Sequence, residues 1–275
     1  MPLYVDSEIP LIILIRHGEC VHLHNRLFGQ FDVALSEQGK EQIRHTSTFL
    51  SSILDYLLNN HSGISTCLSS DLLRCKQSAE IIKDVIQENL HIDLNFNYTS
   101  SLREFHIGNW ENKSIFEIKD EVIQYIKNYN ANQWHARPPG LSAESDYMVL
   151  KRVYPILKQL KTLNQELKVE KALTKLENKL NIEDKLRFYT NLKIRFNIHI
   201  LVVHEGSIRM ILNSLDIPSW TPDVEKEFIY DEHQTFIKRG DLLIIKPTFK
   251  QSKKQEWEIA YHYRHDPITD IRLAI

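Results

Sequence analysis

Apolar positions along the chain alternate between two periods. Leu11-Ile12-Ile13-Leu14-Ile15 is short, continuous and β-branched, and it stops at Arg16-His17-Gly18. That is the pattern of a strand buried on both faces that runs into a loop. Beyond Ser36-Glu37-Gln38-Gly39, the residues Ile43, Phe49, Leu50, Ile53, Leu54 and Leu57 recur at helical spacing. Ile64-Ser65-Thr66-Cys67-Leu68 then reads as a second strand. Leu73, Ala79, Ile82 and Ile86 give a second amphipathic helix over Leu72 to Ile86, and His91 to Phe96 returns as a third strand. Much later the opening pattern repeats. Ile198-His199-Ile200-Leu201-Val202-Val203 runs straight into His204-Glu205-Gly206 and then the apolar Ile208, Met210, Ile211, Leu212 and Leu215 of a following helix. Leu242 to Ile245 and Trp257 to Tyr261 predict two last strands, joined by the polar turn around Lys250-Gln251-Ser252-Lys253 and finishing the sheet at one edge.

Alternating strands and helices predict an α/β fold, a three-layer αβα sandwich with a mostly parallel central sheet and helices on both faces. In such sheets ligands bind beyond the carboxyl ends of the strands, and both histidine-containing loops fall there. From Leu163 to Arg195 the texture changes. Lys and Glu dominate, while Leu167, Leu173, Leu176, Leu180 and Leu186 share one helical face. This predicts a helical insertion at about 163–195, a solvated spacer or a partner-binding arm, within a single domain spanning 1–275.

Composition narrows the function classes. With 42% hydrophobic and 25% charged residues, the 275-residue chain has the profile of an ordinary folded protein. Its 34 Lys+Arg against 36 Asp+Glu leave a formal net charge of −2. No broad field attracts nucleic acid or an anionic membrane, so any affinity for anions is local. Cys20, Cys67 and Cys75 are odd in number and form no CxxC pair, which argues against a disulfide framework and a zinc site and fits a reducing cytosol. The first residues carry no basic stretch, and the run Leu11 to Ile15 is too short for a signal core or membrane span. A cytoplasmic protein is expected, with the sequons at Asn97 and Asn112 unused.

Candidate chemistry begins at Arg16-His17-Gly18-Glu19. A guanidinium holds two phosphate oxygens in a fixed fork, and the adjacent imidazole supplies a nitrogen nucleophile. At the next strand-to-helix junction, Ser69-Ser70-Asp71-Leu72-Leu73-Arg74 puts Arg74 in a first helical turn. That end of the macrodipole disfavours a cation unless an anion is near. Leu102-Arg103-Glu104-Phe105 follows the third strand and sets the Glu104 carboxyl among aromatic neighbours, where it suits a general acid.

These stretches resemble the histidine phosphatase (phosphoglycerate-mutase-like) superfamily. Its members show Arg-His-Gly, then Ser-Ser-x-Leu-x-Arg-x-x-Gln-Thr-Ala-Glu, then Leu-x-Glu-x-x-x-Gly-x-Trp-Glu, then His-Gly-Gly-x-Ile-Arg. All four appear here in that order. The resemblance also takes in Asn25-Arg26-Leu27-Phe28-Gly29 through Asp32 to Gly39, and Arg137 to Gly140 before Glu144-Ser145. It implies that His17 becomes phosphorylated while Arg16, Arg74 and His204 bind phosphate oxygens as three cationic donors. Glu104 is implied as the group that protonates the leaving oxygen and then activates the hydrolytic water, with Glu111 and Glu205 as the other carboxylates within reach of that role. No metal or other cofactor is implied.

Two positions depart from the family pattern. Leu23 stands where an Asn is usual, which makes Asn25 or a nearby backbone amide the candidate for that phosphate contact. Glu205 replaces the first Gly of the last motif and, if turned inward, would repel the substrate. The segment after Glu104, from Gly108 to Ile118, looks like the small-molecule phosphatase branch. The stretch from Lys113 to Glu144 is expected to line the mouth, with Tyr125, Lys127, Trp134, His135 and Arg137 as candidate substrate contacts. The expected partner is a small phosphorylated metabolite, with no nucleic acid and no membrane. Two alternatives stand beside the phosphatase reading: a cofactor-dependent phosphoglycerate mutase, and a non-catalytic binding module on the same fold.

Overall fold

The computed structural model describes residues 8–21, 26–59, 62–160, 195–217, 237–248 and 256–264. The expected insertion at 163–195 lies outside the described residues, apart from the first residue of a strand.

Six strands form one mixed sheet in the order β3-β2-β4-β1-β5-β6. They are β1 (Glu8–Arg16), β2 (Gly63–Ser70), β3 (Phe96–Thr99), β4 (Arg195–Val203), β5 (Leu242–Thr248) and β6 (Glu256–Tyr263). The first four in chain order are parallel, while β5 runs antiparallel to β1 and β6 antiparallel to β5. The helices are α1 (Glu37–Asn59), α2 (Leu73–Leu90), α3 (Lys119–Ala131), α4 (Asp146–Leu160) and α5 (Glu205–Ser214).

The continuous apolar run of β1 is divided by the pleat. Leu11, Ile13 and Ile15 enter a core with Ile43, Leu50 and Leu54 of α1 and Ile82 and Ile86 of α2. Ile12 and Leu14 enter the opposite core with Val149, Val153 and Leu157 of α4 and Ile208, Ile211 and Leu212 of α5. Both faces are therefore covered, as the apolar runs Leu11 to Ile15 of β1 and Ile200 to Val203 of β4 require. On the antiparallel side Phe49 of α1 stacks on Tyr263 of β6, with ring centroids 4.3 Å apart.

Three elements differ from the sequence pattern. The third strand starts at Phe96 rather than His91, because His91 adopts a left-handed conformation (φ 58) that caps α2. Ile92 and Leu94 then pack against the α1–α2 core, and ladder pairing with β2 begins only at Phe96 opposite Cys67. Helices α3 and α4 have no counterpart in the sequence reading. In α3 only Val122 and Tyr129 are buried, too few to make a stripe. Pro155 inside α4 reads as a breaker, and exposed Tyr147, Met148 and Tyr154 blur the stripe that its buried positions form.

Candidate active site

Strands β1 and β4 pair in parallel with Arg16 opposite Val203, and the His17 amide donates to the Val203 carbonyl at 3.1 Å. The next residue of each strand is a histidine. His17 and His204 consequently leave the sheet side by side, with ring centroids 5.0 Å apart. On the other side of β4, β2 ends at Ser70, and Arg74 sits in the first turn of α2. Its Nε donates to His204 Nδ1 at 3.3 Å. Arg16, His17, Arg74 and His204 are all buried, so four of the sequence-picked residues meet at the carboxyl ends of three adjacent strands.

Arg74 is not a surface residue of the helix. Its terminal nitrogens donate to the Phe31 carbonyl at 3.0 Å and the Gly29 carbonyl at 2.6 Å. Carbonyl acceptors thus hold a cation at the helix end where the macrodipole opposes it. The Leu73 amide beside it donates to Asp32 Oδ1 at 2.6 Å.

His17 Nδ1 lies 2.8 Å from the Gly18 carbonyl, which can only accept. The proton therefore sits on Nδ1 and leaves the Nε2 lone pair available. Burial, then Arg74, then Arg16, holds the His17 pKa well below the usual histidine value, so the ring is neutral. His204 is depressed in the same way, by burial first and Arg74 next. Because its Nδ1 accepts from Arg74, its Nε2 carries the proton and faces Ser70 Oγ at 2.9 Å. The expectation of three cationic donors is thus revised for the free protein: two guanidiniums flank two neutral imidazoles.

Glu104 reaches the same place from the loop after β3. Its Oε1 accepts from its neighbour Phe105's amide at 2.9 Å, and its Oε2 from the Gly206 amide at 3.3 Å, in the first turn of α5. Gly206 is needed there for space, since a Cβ would collide with the Glu104 carboxylate and the Phe105 ring. The Glu104 carbonyl accepts from Gln30 Nε2 at 3.0 Å and from an Arg152 terminal nitrogen at 2.9 Å. Glu144 ties these together, receiving Arg152 Nε at 2.8 Å and Gln30 Nε2 at 3.2 Å.

Glu111 is occupied elsewhere. Its carboxylate accepts from the amides of Gly29 at 3.1 Å, Gln30 at 2.7 Å, Phe31 at 3.0 Å and Ile107 at 3.3 Å. Glu205 points inward, with Oε2 3.1 Å from an Arg16 terminal nitrogen. Asn25 and Leu23 lie outside the described residues. Of the expected mouth residues, Tyr125 packs edge-on against Trp110 at 5.5 Å, whereas Lys127, Trp134, His135 and Arg137 are exposed.

Sequence reasoning missed Ser70, Gln30 and Arg152 as parts of the site, and assigned Glu144 no role. Ser70 and Glu144 lay within motifs already quoted, so their positions carried a signal. Arg152 had none, because its partners are 8 to 51 residues away in sequence and on other elements. The three cysteines are buried and free, and among the described residues no cluster of His, Cys, Asp or Glu is arranged to hold a metal ion. No helix among them is long and apolar enough to cross a membrane.

The family model described as histidine phosphatase superfamily (branch 1) matches residues 12–169. An Escherichia coli O1:K1 / APEC protein named "Probable phosphoglycerate mutase GpmB" is 30% identical over 111 residues, which is 40% of this chain and 45% of that protein. The Yersinia pestis (strain Pestoides F) protein of the same name is 30% identical over 129 residues, 46% of this chain and 53% of that one. The chain therefore spans about half the length of the curated relatives it matches. Among solved structures, a mycobacterial glucosyl-3-phosphoglycerate phosphatase superposes with a TM-score of 0.58 at 17% identity, covering 92% of this chain and 98% of that one. At that identity the likeness is one of fold.

Proposed function

The chain belongs to the histidine phosphatase superfamily, and from that premise we propose that it is a phosphomonoester hydrolase acting on a small phosphorylated metabolite through a phosphohistidine at His17. The observation that carries this reading is the meeting of a neutral, Nδ1-protonated His17 with Arg16, Arg74 and His204 in one buried pocket. A lone pair on Nε2 faces a region where the positive charge is fixed and does not depend on pH.

In the first step Nε2 bonds to phosphorus as the ester P–O bond breaks, and Glu104 delivers a proton to the departing oxygen. In the second step the Glu104 carboxylate takes a proton from water, the oxygen of that water bonds to phosphorus, and the N–P bond breaks to release phosphate. Arg16 and Arg74 hold the equatorial oxygens throughout, where charge accumulates in a loose phosphoryl transition state. His204 adds a third donor in its uncharged form, the Nε2–H that faces Ser70 Oγ in the free protein. Because the charge comes from side chains, turnover is expected to survive EDTA; loss restored by a divalent cation would refute that part.

The names of the curated relatives favour a second reading, a phosphoglycerate mutase, in which the phosphohistidine is returned to a second hydroxyl instead of water. A screen of phosphorylated metabolites for phosphate release, with 3-phosphoglycerate plus a bisphosphate primer among them, separates the two. Inorganic phosphate supports the hydrolase, isomer supports the mutase, and neither product from any substrate supports a non-catalytic module.

A further inference from the structure

Glu205 is the residue in this site that the family motif does not supply, since glycine is usual at that place. Its carboxylate turns toward the phosphate pocket and pairs with Arg16 at 3.1 Å. The other terminal nitrogen of Arg16 donates to the Ile237 carbonyl at 2.6 Å, which anchors the guanidinium in place. Glu205 therefore occupies one of the guanidinium nitrogens that a phosphate oxygen would compete for. Solvent reaches the two partners unequally, with the Glu205 side chain 25% exposed and that of Arg16 6%. The carboxylate, not the guanidinium, is the partner with room to move.

Four charged groups face Glu205: Arg16, Glu104, Arg209 and Arg239. Arg209 is drawn away by buried Asp146 at 3.2 Å and lies over the Phe105 ring, 5.4 Å from its centroid. Glu104 adds negative charge on the same side. Burial pushes the Glu205 pKa up, with Arg16 opposing, as expected of a carboxylate held in a poorly solvated place chiefly by one cation.

We propose that Glu205 is an internal competitor for the phosphoryl group, occupying Arg16 in the free protein and lowering the affinity of the site for both phosphorylated substrate and released phosphate. A phosphate dianion must either displace the carboxylate from Arg16 or bind beside it, and like charges in contact oppose binding in either case. The inference rests on the reading of Arg16 as a phosphate-binding residue. Its consequence for that reading is fast product escape: an enzyme that hydrolyses esters in the presence of free phosphate is less inhibited by its own product.

The test is calorimetric titration of inorganic phosphate into the intact protein, for the parent and for Glu205→Gln and Glu205→Gly. Glutamine keeps the shape without the charge, and glycine is the family's residue. Both variants are expected to bind phosphate about tenfold more tightly. In turnover, KM and the inhibition constant for phosphate should fall together. Unchanged affinity in both variants would overturn the proposal. So would weaker affinity in both, which would make Glu205 a residue that positions Arg16 for the anion. A thermal scan of each variant confirms folding, and if one variant does not fold the other decides. Binding is read without hydrolysis, so tighter binding by variants of a protein that turns over no ester would sustain this inference while removing the phosphatase reading. Ester hydrolysis by the parent with no tightening in the variants would do the reverse. No phosphate binding by any of the three proteins would remove both.

Discussion

An imidazole attacks phosphorus only through an unprotonated nitrogen, and burial beside Arg74 and Arg16 keeps His17 in that state. Replacing it with alanine is expected to abolish turnover of every phosphoester, because alanine offers no nucleophile and the two-step route through the phosphoenzyme is lost. Steady-state activity within about tenfold of the parent, a barrier change of only ~1.4 kcal/mol, would sink the assignment. Glu104 invites a subtler comparison, since an alkoxide needs a proton as it leaves whereas a nitrophenolate does not. Glu104→Gln keeps the shape and one of the two amide contacts, that from Phe105 or that from Gly206, but removes the transferable proton. Alkyl phosphates should slow by ~10²–10⁴-fold in the first step, and nitrophenyl phosphate much less. The same variant lacks the base for the second step, so rapid-quench experiments should show a burst of nitrophenolate followed by slow turnover. Equal slowing of both substrates without a burst would make Glu104 a binding residue. Glu205 would then be the carboxylate to test, because Glu111 is committed to backbone amides.

At the scale of elements, the loop through Gly29, Gln30 and Phe31 is the part of the site that a sequence pattern conceals. Its carbonyls hold Arg74, its amides are held by Glu111, and its Gln30 side chain supports Glu104. These bonds join positions 43 to 82 residues apart, so no periodicity or local motif reports them. Arg16, His17 and His204 stood out by position, at the ends of apolar runs, but their roles and that of Glu104 were legible only through the ordered motifs of the family resemblance. Arg74 was legible as a misplaced helix cation. Glu111→Gln tests the link between loop and pocket. One amide oxygen cannot replace two carboxylate oxygens accepting from four backbone N–H groups, and part-buried donors left without a partner lose a share of the ~1–3 kcal/mol that a fully buried one would. Denaturant titration should show that loss, and phosphate affinity should weaken with it as Arg74 loses its carbonyl cradle. A stability loss with phosphate affinity unchanged would show that the loop carries Arg74 independently of Glu111.

Over the whole molecule, the sheet was readable because β1 and β4 are apolar on both faces, while the order β3-β2-β4-β1-β5-β6 was not, since strand neighbours are chosen by long-range packing. One consequence of burying histidines in and beside that sheet is a stability profile with a defined acid limb. His17 and His204 have folded-state pKa values held well below the ordinary 6.5, and His199 on β4 is pushed down by burial to about 4. Below pH ~6.5 the unfolded chain binds protons at these rings that the folded chain refuses, so stability is full above that pH and falls as pH drops. Glu205 works in the opposite sense, because its raised pKa means stability is gained as pH falls through it. Three histidines against one carboxylate leave a net loss on acidification. At the other end the buried thiols, with Cys67 pushed up to about 12, favour the folded state below the ordinary thiol pKa and lose that contribution as pH rises above it. His199 isolates the acid limb, because it sits in mid-strand opposite Ile12 and Thr66, away from the phosphate pocket. His199→Phe removes its titration and should flatten the acid limb between about pH 6.5 and about pH 4 by up to ~1.4 kcal/mol per pH unit, with hydrolysis near neutrality retained. Denaturant titrations at a series of pH values measure that slope directly. A variant that keeps the parent's slope would show that the His199 ring is protonated as readily in the folded chain as in the unfolded one, and that the acid limb belongs to the two active-site histidines.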